Sequence, residues 1–379
     1  MGKIVMKLRN ILFFTSLVFF FFNCHRKAEP VSLLENKQPL FVCGGDNSGH
    51  YYRFIKNFIV AQNGRIFLWD MTSSEHIDVY DDKGKFMFQF GKKGEGPGEF
   101  RGVANGAIDS QGDIWINSDN MKSLKIYTER GEYKEEVMLP KEIALSYIKK
   151  MVFNTEDDLI LLCYFSVGNK FSLYRFIIKE NQCQLIHSDS KRIRPRVADF
   201  MPDFALDAAG NIYITDTLDY RIYKYSKDGR LLDKHEVRDF KKEQIVEKDF
   251  NIFSEDFKII RYPGYKEVMG ALRGPSLYFP AIFGINIDGD TIYVWSSKQD
   301  KMKRLLIDVY DLKFNWRYRS CYFNWMGRNL AQIVKGKLYI PSIENENIQL
   351  TKDVGRFSIL NYAEQLNVYA ISRELSQKN

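Results

Sequence analysis

One register recurs six times along this chain, and it limits the fold more than any other feature. A Gly or Asp, then a residue or two leading into an Ile or Leu with an aromatic or aliphatic neighbour, appears as GRIFL from Gly64, GDIWI from Gly112, DLILL from Asp158, GNIYI from Gly210, DTIYV from Asp290 and GKLYI from Gly336. The steps between markers are 48, 46, 52, 80 and 46 residues, and periods of this size belong to propeller blades or solenoid units. Composition separates the two. The residues around each marker are β-branched or aromatic, the turns are rich in Gly, Asp and Asn, and a second strand such as HIDVYDDKG or RIYKYSKDG follows. No segment of matching period keeps a helical spacing of apolar residues, which excludes helical solenoids.

Four short strands per unit, six times over, make an all-β, six-bladed β-propeller of four-stranded antiparallel blades. The marker itself is the turn between the first and second strands of a blade, where a positive φ favours Gly, Asn or Asp. The pair that follows sends alternate side chains to the two sheet faces, and in a propeller both faces meet a neighbouring blade. That packing accounts for an aromatic content of 15%. The segments LFVC near residue 40 and NVYAI from Asn367 are the expected closing pair, since a ring must be latched against opening.

The stretch GKKGEGPGEF, residues 91 to 100, has the glycine density of a phosphate loop. It lacks the G-x-x-x-x-G-K-[ST] order, and a strand rather than a helix follows it, so it reads as the passage from the outer strand of one blade to the inner strand of the next. Together, GEGPGEFRGVANGAIDSQGDIWI and FALDAAGNIYITDTLDYRIYKYSKDGRLL resemble NHL-type repeats. With the N-terminal features described next, the chain is similar to six-bladed β-propeller lipoproteins of Bacteroides-type bacteria over about residues 40 to 372. The resemblance implies the fold and not an activity, because propellers host hydrolases, lyases, sugar binders and docking platforms alike. Two departures stand out: Asp158 takes the place of Gly in the third unit, and the step from Gly210 to Asp290 carries an excess, residues 240 to 275, whose first half has the pattern of an amphipathic helix.

The N-terminus is an address. Lys3, Lys7 and Arg9 precede the apolar run Ile11 to Phe22, then Asn23 and Cys24, the layout of a secretory signal and too short to span a bilayer comfortably. The order FFNC resembles a lipobox with Cys24 as the lipidated residue, although Phe21 and Asn23 depart from its usual pattern, and an ordinary signal peptide cut nearby is the alternative. The expected organisation is a signal over 1–23, a linker over 24–39, the propeller over 40–372 and a tail over 373–379. Removing residues 1–23 takes three positive charges, so the formal charge of +7 becomes +4, too little for a nucleic-acid footprint. Cys43, Cys163, Cys183 and Cys321 lack zinc-site spacing, while Cys163 and Cys183 are candidates to pair across one hairpin.

Propeller ligands bind near the axis, on the face whose loops enter the inner strands. Eleven residues before the markers lie Arg53, Arg101, Tyr147, Asp199, Phe279 and Trp325, offering guanidinium forks and flat aromatic faces to acidic or sugar groups, or side chains that pair with neighbours and fill blade interfaces. Seven before lie Asn57, Asn105, Met151, Asp203, Phe283 and Asn329. Of these, Asn57, Asn105, Asp203 and Asn329 are oxygen donors of the kind that hold Ca²⁺ in lactonase-type propellers, and also ordinary turn residues. No His recurs at a fixed offset, and there is no G-x-S-x-G elbow. The leading expectation is therefore a membrane-anchored, exported binding module without a cofactor, in the periplasm or outer membrane, whose partner is a glycan, a peptide or an envelope protein. A Ca²⁺-dependent lactonase or esterase and a structural docking scaffold are the alternatives.

Overall fold

The structure is a computed structural model describing residues 31–36, 38–45, 49–52, 55–70, 76–118, 122–144, 146–168, 170–189, 202–216, 219–238, 240–241, 281–299, 305–322, 331–343 and 364–371. Residues 32–379 make up one compact unit and residues 1–31 a second, of which only Val31 is described. Cys24 and residues 242–275 of the long insertion lie outside the described residues, as do Arg53, Asp199, Phe279, Trp325 and Asn329.

Six blades of four antiparallel strands follow one another in chain order, and the sheet of blade 5 gains the short strand Val31–Ser32 beside its outer strand as a fifth. Blade 1 runs from Ile55–Val60 through Ile66–Asp70 and Ile77–Tyr80 to Phe86–Phe90. Blade 2 comprises Val103–Ile108, Ile114–Ser118, Ser123–Tyr127 and Tyr133–Met138, and blade 3 Tyr147–Phe153, Leu159–Phe165, Lys170–Ile177 and Gln182–Asp189. Blade 4 is Phe204–Leu206, Ile212–Thr215, Arg221–Tyr225 and Leu231–Glu236, and blade 5 Ile282–Asp288, Thr291–Gln299, Leu305–Asp311 and Trp316–Tyr322. Blade 6 takes Gln332–Val334, Lys337–Ile343 and Glu364–Ala370 from one end of the chain, and its outer strand, Phe41–Cys43, from the other.

That outer strand is the latch. Phe41, Val42 and Cys43 stand opposite Val368, Asn367 and Leu366, the two segments expected to close the ring. Packing begins earlier than the expected boundary at residue 40. Leu33 is fully buried among Tyr293, Val309, Leu338 and Ile371, between blades 5 and 6, and Leu34 bridges Ile371.

Blade-to-blade burial is continuous. Phe67, Trp69 and Val79 of blade 1 pack on Ile114, Ile116 and Tyr127 of blade 2, while Trp115 and Ile126 on the opposite face of blade 2 meet Leu159, Leu161 and Cys163 of blade 3. Alternation along each strand thus feeds two interfaces, which is why the second strands of blades 1 and 2 are buried at every position.

The hairpins follow local chemistry. Asp81, Asp109, Asn154, Asp207 and Asp311 each accept, on one side-chain oxygen, backbone N–H groups two and four residues on, the Asx turn that these residues favour. In the third unit the left-handed residue is Asp157 (φ 59°), not the marker Asp158, and in the fifth it is Gly289 (φ 56°), not Asp290. Asp158 keeps its backbone in the turn, while its carboxylate Oδ2 accepts from Arg175 Nε at 2.7 Å. Cys163 and Cys183 do not pair: both are free thiols, on the second and fourth strands of blade 3 with the third strand between them, opposite Ser172 and Phe176.

Candidate functional site

The inner strands of blades 1, 2, 3 and 5 share one irregularity. Register breaks at Ile55/Asn57, at Val103/Asn105 (opposite Ser118 and Asn117), at Ile148/Lys150 and at Ile282/Gly284, so each carries a β-bulge at its loop-facing end. A bulge re-aims the side chain that follows it, and here the side chains after the first three bulges reach the next blade. The Asn57 amide donates to Asn105 Oδ1 at 2.8 Å, and the Asn105 amide donates to the carbonyl of Ile148. Lys150 Nζ donates to Asp203 Oδ1 at 2.8 Å and to the Phe204 carbonyl at 2.7 Å, while Asp203 Oδ2 accepts from the Ile285 N–H at 3.0 Å. Gln332 closes toward blade 1 by donating to the Phe58 carbonyl at 3.0 Å. Gly284 leaves room for the carboxylate, since a Cβ there would stand 3.3 Å from Asp203 Oδ2.

Three of the four oxygen-donor candidates, Asn57, Asn105 and Asp203, therefore lie on one ring, each already accepting a hydrogen bond from the protein: Asn57 Oδ1 takes the Phe58 N–H at 2.9 Å, and Asp203 Oδ1 also takes the Phe204 N–H at 2.9 Å. A calcium ion at Asp203 would have to displace the Lys150 ammonium. Among the described residues no group of three or more His, Cys, Asp or Glu is arranged to hold a metal ion. Lys150 is the member that fixed offsets passed over. The five-residue turns of blades 1 to 4 end one residue earlier in the third unit relative to its marker, so the offset landed on Met151, and the two-residue turns of blades 5 and 6 move it again.

Of the aromatic and guanidinium set, Arg101 and Tyr147 are described. Arg101 lies two residues before the inner strand of blade 2, is 70% exposed, and pairs with the equally open Glu95 at 2.8 Å. Tyr147 opens the inner strand of blade 3, half-buried and opposite Tyr164. Both stand at the entry ends of inner strands, on the loop-rich side of the disc.

The glycine-rich passage beside Arg101 is a braced loop. The buried Lys125 donates from Nζ to the carbonyls of Gly96 (3.0 Å) and Glu99. Glu99 accepts the Gly96 N–H at 3.0 Å and pairs with Lys92 at 2.9 Å; these two bonds hold its carboxyl below the ordinary range. Phe100 is buried against Tyr127. The N–H groups a phosphate would need are thus partly engaged, and the loop joins Phe86–Phe90 to Val103–Ile108, outer strand to inner strand.

The hairpin side of the disc is stitched in its own way. Asp157 of blade 3 accepts from Ser110 of blade 2, Asp288 of blade 5 accepts the N–H groups of Lys335 and Gly336 of blade 6, and Lys335 Nζ donates to the Gln62 carbonyl of blade 1 at 2.5 Å. Among the described residues no helix is long and apolar enough to cross a membrane.

No curated protein matches the sequence. A protein of Bacteroides fragilis NCTC 9343 assigned as exported is 13% identical with a TM-score of 0.52, over 87% of this chain and 94% of that one. Virginiamycin B lyase from Staphylococcus aureus is 12% identical with a TM-score of 0.42, over 84% and 96%. A gluconolactonase from Xanthomonas campestris is 10% identical with a TM-score of 0.46, over 91% and 99%. At these identities the likeness concerns the fold alone. The family model described as 6-bladed beta-propeller matches residues 33–258, more than half the chain, and with six blades in sequence the chain belongs to that family.

Proposed function

We propose that this chain is an exported, lipid-anchored binding module that takes a glycan, a peptide or an envelope protein on its loop-rich face. The observation that carries the reading is the commitment of the inner-strand polar groups to neighbouring blades: Asn57 to Asn105, Asn105 to Ile148, Lys150 to Asp203, Asp203 to Ile285. Such a ring makes the centre of the disc a rigid scaffold and leaves recognition to the loops around it, which is where binding residues concentrate on rigid folds. Arg101 supports the same reading, because an open guanidinium offers a forked donor to carboxylate or acidic sugar groups. Export and anchoring rest on the basic n-region, the apolar run and Cys24.

The test is a glycan and peptide array probed with protein from Cys24 onward, paired with elemental analysis of the same preparation. Binding that falls at least tenfold in Arg101→Ala, in protein that melts as the parent does, is the expected result. About one Ca²⁺ per chain, lost together with esterase or lactonase activity in Asp203→Ala, would replace this reading with the hydrolase.

A further inference from the structure

The proposed anchor fixes where the propeller is tied to the membrane. Eight residues, nine Cα-to-Cα steps, separate Cys24 from Leu33, and Leu33 is buried between blades 5 and 6. At no more than about 3.4 Å per residue, that tether spans at most about 30 Å. The point of attachment lies at the hairpin-side end of the blades' outer strands, because Leu34 bridges Ile371, Glu35 N–H donates to the Ala370 carbonyl, and Ala370 stands opposite Lys337 at the start of its strand.

Two large apolar side chains stand open at this end of the same two blades. Trp316 begins the outer strand of blade 5, opposite Tyr310, and is 57% exposed. Leu40 immediately precedes the outer strand of blade 6, its N–H donating to the Val368 carbonyl, and is 56% exposed. Lys313, Arg317 and Lys337 flank them. Asp288 and Asp311, at the same end, turn their carboxylates onto backbone amides, and among the described residues Glu35, Asp290 and, on the adjoining turn of blade 1, Asp82 are exposed acids.

We infer that this corner of the disc, Trp316 and Leu40 with their basic neighbours, rests on the headgroup layer of the membrane that holds the anchor. Indole is the side chain best suited to that layer, apolar in its body and with an N–H for the wet side, and basic groups favour anionic headgroups. The short tether keeps the corner at the surface, so that two weak contacts act at high effective concentration. The hairpin side then leans toward the bilayer and the loop-rich side, with Arg101, faces away from it. This inference rests on the lipid anchor proposed above.

The experiment uses the full chain recovered from membranes. Its intact mass reports the modification of Cys24, and after reconstitution into vesicles carrying lipids brominated near the headgroup, tryptophan fluorescence reports depth. The expected result is quenching relative to unbrominated vesicles that is lost in Trp316→Phe and reduced in Leu40→Glu, both exposed positions where the fold is retained. Quenching that is absent, or that persists unchanged in Trp316→Phe, overturns the contact while leaving a lipidated Cys24 intact. An unmodified Cys24 overturns the anchor and this inference with it.

Discussion

His187 and His235 are held in their neutral form by burial, which lowers both below the ordinary value of 6.5. His187 shares a 2.7 Å hydrogen bond with Tyr225, and His235 stacks on Phe314 with its Nε2 buried and without a partner. The unfolded chain therefore takes up protons first as pH falls below about 6.5, and in that window the unfolded state is favoured. The melting temperature is expected to hold steady from pH 8 to 7 and to drop between pH 6.5 and 5. His235→Phe, which keeps the ring and removes the titration, should flatten part of that drop; an unchanged slope would assign it elsewhere. Lys150 and Asp203 show a different effect at the same scale. Asp203→Ala leaves Lys150 Nζ short of one acceptor and the Ile285 N–H without its acceptor, and denaturant titration should show a loss of about 1–3 kcal/mol.

At the scale of the element, one pentapeptide is used twice. IDVYD runs through the third strand of blade 1 into the turn that follows (residues 77–81) and ends the third strand of blade 5 (residues 307–311), and each copy buries its first carboxylate under a tyrosine brought from outside the blade. Tyr52 donates to Asp78 at 2.5 Å and Tyr220 to Asp308 at 2.8 Å, with Tyr80 and Tyr310 hydroxyls beside them. Arg319 neutralises Asp308 at 2.6 Å, whereas Asp78 has His50 and His76, each 3.5 Å away. Tyr220→Phe should cost about 1.5–3 kcal/mol in chemical denaturation, the range for a hydrogen bond to a charged acceptor. The hairpin glycines show a second repeated device: in the turns between third and fourth strands, Gly84 approaches the outer strand of blade 6 and Gly131 that of blade 1. Gly84 has φ +79°, and a Cβ would stand 2.7 Å from the Val42 carbonyl oxygen. Gly84→Ala is expected to lose about 1–2 kcal/mol from handedness alone, more with the clash, and to loosen Phe41–Cys43, read as faster amide exchange at Val42 and Cys43. The turns were legible because Asp-x-x-Gly is local chemistry. The bulges were not, since each is set by pairing with the second strand and by what the next blade presents.

Closure belongs to the whole molecule. Blade 6 is complete only when residues 41–43 and 364–370 meet, and the order of its sheet puts Glu364–Ala370 between Phe41–Cys43 and Lys337–Ile343. Deleting residues 366–379 removes that middle strand and strips Leu33 of its Tyr369 and Ile371 contacts. The expected outcome is loss of the single cooperative melt for the whole ring; an unchanged melting temperature would show that closure is carried elsewhere. The two stitched ends of the disc, Asn57 to Ile285 on the loop side and Asp157, Asp288 and Lys335 on the hairpin side, resist the same opening.

Six blades, their order and the closing pair follow from the sequence by itself, because strand period, turn chemistry and repeat length are properties of neighbouring residues. Asn57, Asn105 and Asp203 were also visible there as a recurring polar position. That they bond to the next blade, that Lys150 joins blade 3 to Asp203, and that Asp157 rather than Asp158 makes the turn were decided only by the tertiary structure. A fixed offset counts residues along one chain, whereas bulges and turn lengths decide which residue reaches across to another blade. The same reason separates Trp316 and Leu40: far apart in sequence, they come to one corner only because the N-terminal segment completes blade 6.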